Sequence, residues 1–279
     1  MLPDVAGRPI VLKRLASTVV MVPVFLLVVL KAPGWLFNLL VVLASAGALH
    51  ELTRLLEHGG RPVHRRLGLA AGVAVTAAFG ASRMLDPLVL PAVVLTGAAG
   101  ILLVAALWRP GLPSVEPAAN TLLAVVYVGW LLGYAILLHH TSPRGDELVL
   151  FAVGVTWVGE TAAYLVGSTL GRHPLAPVIS PRKTLEGGAA QVVASLLAGA
   201  VLGAWLLPDC GVAFAVLAGG LLGVIGQFGD LVESVFKRSV GTKDTGALIP
   251  GHGGVLDRLD SLLFNLPAFY YISMLAGCR

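Results

Sequence analysis

Apolar residues along this chain come in long runs, with no alternation of period two, and each run ends at a short polar segment. Runs of this kind predict helices that are buried or face lipid on most sides. They extend from Leu15 to Leu30, Trp35 to Leu49, Leu67 to Ala81, Leu88 to Trp108, Ala118 to Leu138, Leu148 to Leu170, Gly188 to Leu207, Val212 to Phe228 and Asp257 to Gly277. The expected fold is therefore all-α: a polytopic integral membrane protein of about nine transmembrane helices, forming one domain over residues 1–279. Some runs fall short of the roughly 20 residues that a straight crossing needs, so tilts or breaks are expected near a polar site.

Composition sharpens this picture. The chain is 57% hydrophobic and 12% charged, with a mean hydropathy of +0.88, which excludes a soluble domain with a single core. A net charge of +4 and a pI near 9.3 reflect cationic loops rather than a nucleic-acid partner. With the N-terminus inside, 15 of the 19 Lys and Arg fall on the cytoplasmic side of nine spans, the bias expected of that orientation. The polar connector Glu51 to Arg66 reads as an interfacial amphipathic turn of helix, and His58 and His64 read as surface residues. Cys210 and Cys278 lie far apart and lack metal spacing, so neither a disulfide framework nor a zinc site is expected.

One polar segment stands apart. Between Asp230 and Asp260 the chain gathers five acids, four Lys or Arg and one His. Each charge costs roughly 2.5–3.5 kcal/mol at the centre of a membrane helix, so such crowding marks function. A helix continuing from Val212 places Asp230, Ser234 and Lys237 at i, i+4 and i+7, with Glu233 one turn before Lys237. Thr242 to Gly254 is too rich in Gly and Pro for a helix and reads as a loop whose backbone can approach an anion. Asp257, Asp260 and Ser261 then recur at i, i+3 and i+4 at the start of another apolar helix. Carboxylates beside cations suit phosphate chemistry with Mg²⁺, held by Asp230 and Asp257. Lys237, Arg238, Lys243 and Arg258 supply charge for a polyphosphate.

Ser234, Lys237, Arg238, Lys243, Asp244, Gly246, Ile249, Pro250, His252, Gly253, Gly254, Asp257, Arg258 and Asp260 match, without a gap, a signature that resembles the phosphatidate cytidylyltransferase (CDP-diacylglycerol synthase) family. A second block, Glu160 with Ala163 and Tyr164 and then Ser180, Pro181, Lys183, Thr184, Glu186 and Gly187, is similar to another part of that family. Glu160 stands where the family usually carries Asp, and the extra methylene displaces the carboxylate. The resemblance covers the chain from about Trp157 to Ser261; residues 148–279 form the expected catalytic core.

The resemblance implies a nucleotidyltransferase that makes CDP-diacylglycerol from CTP and phosphatidic acid at the cytoplasmic face of a bacterial inner membrane, with Mg²⁺ as cofactor. Membrane lipid is then its surroundings, and a homodimer is compatible with the resemblance. Asp230, Lys237, Asp257 and Asp260 are the implied catalytic residues. Ser180, Arg182, Lys183, Thr184, Ser234, Arg238, Lys243, Asp244, His252, Gly253, Gly254 and Arg258 are the implied substrate contacts. Within these, Asp260 or Asp244 would support a second cation, Arg258 would alternatively balance Asp230, and His252 either contacts a phosphate or caps the loop. Two other activities share some of these features: a CTP-dependent lipid kinase of the dolichol or phytol type, and a transporter that uses intramembrane acids as an ion path.

Overall fold

The computed structural model describes residues 22–81, 86–108, 114–141, 143–242, 246 and 254–278. Helix follows helix through the N-terminal half: α1 (Val22–Lys31), α2 (Gly34–His58), α3 (Arg65–Ala81) and α4 (Val89–Ala105). A fifth rod begins as α5 (Glu116–Ala124), widens into a π-helical segment (Val125–Trp130) and ends as α6 (Leu131–His139). The C-terminal half comprises α7 (Gly145–Leu170), α8 (Leu185–Leu206), α9 (Val212–Ser239) and α10 (Asp260–Leu275).

Five of these rods are long and apolar enough to cross a membrane: Gly34–His58, Glu116–His139, Gly145–Leu170, Leu185–Leu206 and Val212–Ser239. Helices α1, α3, α4 and α10 are shorter. The polarity of α8 is that of a helix in lipid. Val193, Leu197, Val201 and Trp205, four residues apart, are 55%, 64%, 70% and 78% exposed, while Gln191, Ser195, Gly199 and Gly203 face inward. Small and polar residues inside with large apolar ones outside invert the soluble pattern and permit close packing. A methyl group on Gly219 of α9 would lie 2.4 Å from the Ser195 carbonyl oxygen of α8, so the two backbones approach as they do only because that methyl is missing.

Three features differ from the sequence reading. The connector after Leu49 is helical at its start, as expected, but buried rather than interfacial: α2 runs on to His58 because no breaker intervenes before Gly59, and Leu52, Leu55 and Leu56 are buried along it. Ser180 to Thr184 is a strand, β2, paired antiparallel with β1 (Pro174–Ala176), so one small hairpin interrupts the helical fold. Pro174, Pro177 and Pro181 make helix unfavourable there. Finally, Cys210 and Cys278 form a disulfide across 68 residues, with Cα atoms 5.2 Å apart. The pairing follows from α9 and α10 running antiparallel, which brings the start of one beside the end of the other.

Packed rings complete the interior. Phe151 of α7 stacks on Phe269 of α10 at 5.0 Å, and Tyr134 of α6 hydrogen-bonds Tyr271 of α10 through their hydroxyls at 2.7 Å. These contacts tie α6 and α7 to α10.

Candidate active site

Helix α9 carries the centre of the site because its apolar face turns polar only in its last third. Asp230, Glu233 and Lys237 project from successive turns, with Glu233 fully buried. Helix α10 begins beside them. A methyl group on Gly229 would lie 2.5 Å from the Asp260 carbonyl oxygen, a backbone contact that fixes how near α10 can come. Carboxylate oxygens of Asp230, Glu233 and Asp260 consequently fall within 4.8 Å of one another. Glu160 of α7, Lys237 and Asp257 join these three in lining a cavity of about 270 Å³.

Cations balance part of this charge. Lys183 Nζ, from β2, sits 2.6 Å from Asp230 Oδ2. Lys237 pairs with Glu233 and donates to Asp257 Oδ1 at 2.9 Å. Asp257 Oδ2 accepts the Gly254 N–H at 2.9 Å. One oxygen of Glu233, Oε1, is buried with no hydrogen-bond partner among the described residues. A buried carboxylate oxygen left over, beside two further carboxylates, is the donor set a hard divalent cation takes. These residues therefore fit such an ion.

A larger cavity, of about 580 Å³, adjoins the acids and shares Glu160 and Asp230 with them. Its walls come from α7, α8, α9 and the hairpin, combining Tyr164 and Leu175 with Arg182, Lys183 and Gln227. The hairpin is tied down at its base. Thr184 Oγ1 caps α8 by accepting the Gly187 N–H at 3.1 Å, and Glu186 accepts the backbone N–H groups of Arg172 and His173 at 3.1 and 3.3 Å.

The cytidylyltransferase family profile matches residues 12–276. The chain belongs to the cytidylyltransferase family. Among individual relatives, it is 42% identical over 154 residues to a phosphatidate cytidylyltransferase of Staphylococcus saprophyticus, covering 55% of this chain and 58% of the relative. It is 42% identical over 156 residues to that of Staphylococcus aureus, with the same coverage. Similarity also extends to the uncharacterized protein YnbB of Escherichia coli, at 43% over 152 residues, 54% of this chain and 49% of the relative. The matched region thus spans just over half the length of these phosphatidate cytidylyltransferases.

Within this family frame the residues singled out from sequence separate into groups. Asp230, Lys237, Asp257 and Asp260 do meet, but a 3-10 turn at Leu256–Arg258 precedes α10, so Asp257 and Asp260 do not share one helical face. Asp257 faces Lys237, whereas Asp260 joins Asp230 and Glu233. Lys183 and Arg182 line the large cavity. Ser180 belongs to β2, and Ser234 is buried on α9. Arg238 clasps the hairpin, donating from Nε to the Ile179 carbonyl at 3.0 Å and from a terminal nitrogen to the Thr242 carbonyl at 3.0 Å. Arg258 is exposed, within electrostatic reach of Glu160. Lys243, Asp244, His252 and Gly253, with most of the loop from Thr242 to Gly254, lie outside the described residues.

Two residues were not identified as site groups from sequence. Glu233 was placed only as a neighbour of Lys237, although its i+3 spacing from Asp230 was the available signal. Tyr127, on the π-helical segment, is 4% exposed, has a hydroxyl without a hydrogen-bond partner among the described residues and lies within electrostatic reach of Glu233, Asp260 and Asp230. Nothing in an apolar run distinguishes that tyrosine beforehand.

Proposed function

We propose that the protein is a phosphatidate cytidylyltransferase, joining CTP and phosphatidic acid into CDP-diacylglycerol and releasing pyrophosphate. The observation that carries this reading is the shared wall: Glu160 and Asp230 belong both to the carboxylate cavity and to the larger, partly apolar cavity rimmed by Arg182 and Lys183. A lipid phosphate entering the second would meet a triphosphate held at the first. Relatives bearing the phosphatidate cytidylyltransferase name point the same way.

The chemistry follows from charge. A phosphatidate oxygen is already anionic, so it needs no strong base to attack the α-phosphorus of CTP. The new P–O bond forms as the bond to the β-phosphate oxygen breaks, and pyrophosphate departs with the electron pair. Bringing two anions together is the obstacle, and neutralising them in a fixed geometry is the remedy. Lys183 and Arg182 would offset the lipid phosphate. Lys237, held between Glu233 and Asp257, would keep those acids in register. Mg²⁺ held by Asp230, Glu233 and Asp260, with Asp257 adjoining, would supply positive charge to the triphosphate and its leaving group.

The carboxylate end is assigned to the cytoplasm, where CTP is available, and the nine-span arrangement in a bacterial inner membrane goes with it. Charge bias supports this orientation. The disulfide supports it independently: Cys210 precedes α9 and Cys278 follows α10, at the end opposite the acids, where an oxidising compartment would lie. Residues 148–279 would form the catalytic core within one membrane domain.

Purified protein in detergent, given phosphatidic acid, Mg²⁺ and CTP labelled at the α or the γ phosphate, tests the reading. The α label is expected in lipid and the γ label in pyrophosphate. Transfer of the γ label to an added polyprenol would replace the reading with a lipid kinase, and ion-driven uptake into proteoliposomes without turnover would replace it with a transporter.

A further inference from the structure

Helix α2 lies in the half of the chain that carries no part of the signature, yet one of its side chains reaches into the signature segment. Glu51 is 3% exposed, and its Oε2 accepts the Leu256 N–H at 2.9 Å, a buried contact across 205 residues. Leu256 immediately precedes Asp257. The other oxygen, Oε1, has no hydrogen-bond partner among the described residues and abuts Gly246, where an added methyl would come within 2.8 Å of it. A methyl on Gly47, one turn before Glu51, would lie 3.3 Å from Val255. Gly246 and Leu256 therefore close on one carboxylate, and the same helix face seats Val255.

We infer that Glu51 is a positioning residue: its carboxylate fixes the turn Leu256–Arg258 and so sets where Asp257 meets Lys237. The physical reason for an acid here is the buried backbone donor. A charged acceptor makes a shorter and stronger hydrogen bond than a neutral one, and a Leu256 N–H left without a partner would carry the full desolvation cost. From that turn the restraint passes to the site in two steps, since Asp257 Oδ2 accepts from Gly254, just ahead of the turn, while Oδ1 takes Lys237. The hydrogen bond of Glu51 goes to the Leu256 N–H, so its action is on the backbone that carries Asp257. The inference rests on the reading of Asp257 as part of the active site.

Hydrogen–deuterium exchange and steady-state turnover on the full chain in detergent test it with Glu51→Gln, Glu51→Leu and Glu51→Asp. Gln keeps an oxygen at the same reach, Leu removes it, and Asp retracts it by one methylene. Exchange in the peptide containing Leu256 should accelerate by roughly tenfold or more in E51L and E51D and by no more than about threefold in E51Q, whose neutral oxygen accepts more weakly but still accepts. The kcat should fall in the same order, with KM for CTP within about threefold, as expected for misplacement of a catalytic turn rather than lost binding. Unchanged exchange in E51L, or a kcat in E51Q as low as in E51L, would overturn the inference. Should E51L fail to fold, E51D against E51Q decides by the same criteria. If wild type makes no CDP-diacylglycerol, the functional reading fails on its own, and the order of exchange rates still upholds or removes the Glu51 contact.

Discussion

Lys183, on the strand leading into α8, and Asp230, on α9, meet at 2.6 Å on the wall shared by the two cavities. This pair joins the basic hairpin to the carboxylates, so on the proposed reading the same lysine would face a lipid phosphate on one side and compete with a cation for a carboxylate oxygen on the other.

Replacing Lys183 with Met should separate those roles. The side chains are 25% and 38% exposed, so solvent screens the pair and its strength is on the order of 1 kcal/mol. Freed of it, Asp230 should bind a divalent cation about fivefold more tightly, while turnover falls by roughly tenfold or more because the incoming phosphate loses its countercharge. Mn²⁺ binding by electron paramagnetic resonance, beside an activity titration in Mg²⁺, checks both. Weaker cation binding in the variant would show that Lys183 orders Asp230 instead of competing with the ion.

Asp257→Asn should abolish measurable turnover, a loss of at least roughly 100-fold, while leaving membrane insertion intact. Asp257 uses one oxygen for Lys237 and the other for the Gly254 N–H. An amide offers only one acceptor, so either the lysine or the turn loses its partner, at a cost of roughly 1–3 kcal/mol. Turnover assayed alongside elution as a monodisperse membrane protein distinguishes lost chemistry from lost folding. Retained turnover would remove Asp257 from the site.

How far the sequence reaches is clearest around these residues. Asp230, Ser234 and Lys237 were legible as one helical face because period 3.6 needs only a continuous helix, and α9 runs unbroken from Val212 to Ser239. Asp257 and Asp260 were not legible as separate contacts, since the 3-10 turn that parts them depends on a tertiary hydrogen bond from α2. The same dependence hid Glu51, which in the sequence is the first residue of a polar connector. Local patterning carries the helices; contacts across 205 residues or between two distant cysteines arise only when the helices pack.

Removing the disulfide should cost stability and leave chemistry alone. Cys210 and Cys278 close a 68-residue separation, for which chain entropy gives a stabilisation on the order of 4 kcal/mol. Asp230 lies some 20 residues of helix from Cys210, about 30 Å along the axis. Cys210→Ser with Cys278→Ser is expected to lower the thermal midpoint in detergent by several degrees, with turnover within about twofold of wild type. A large fall in turnover at a temperature where the variant stays folded would show that the two ends of α9 are coupled.

Gly229→Ala tests whether the spacing between α9 and α10 creates the carboxylate cluster. The new methyl would come within 2.5 Å of the Asp260 carbonyl oxygen and 3.0 Å of Ser261 Cα, and backbone cannot yield as a side chain does. Helix α10 must therefore shift, carrying Asp260 away from Asp230 and Glu233. Gly226→Ala, one turn earlier, is the matched control: its methyl would come within 3.0 Å only of the end of the Asn265 side chain, whose displacement disturbs its bond to Thr156 Oγ1 rather than the backbone of α10. Both changes raise helix propensity by a similar amount, up to about 1 kcal/mol, so propensity cancels in the comparison. Divalent-cation affinity should fall by about tenfold or more in G229A and by no more than about threefold in G226A, read by Mn²⁺ binding without substrate. Equal affinities would mean that the acids reach an ion through side-chain freedom, and that the close approach of the two helices serves packing alone.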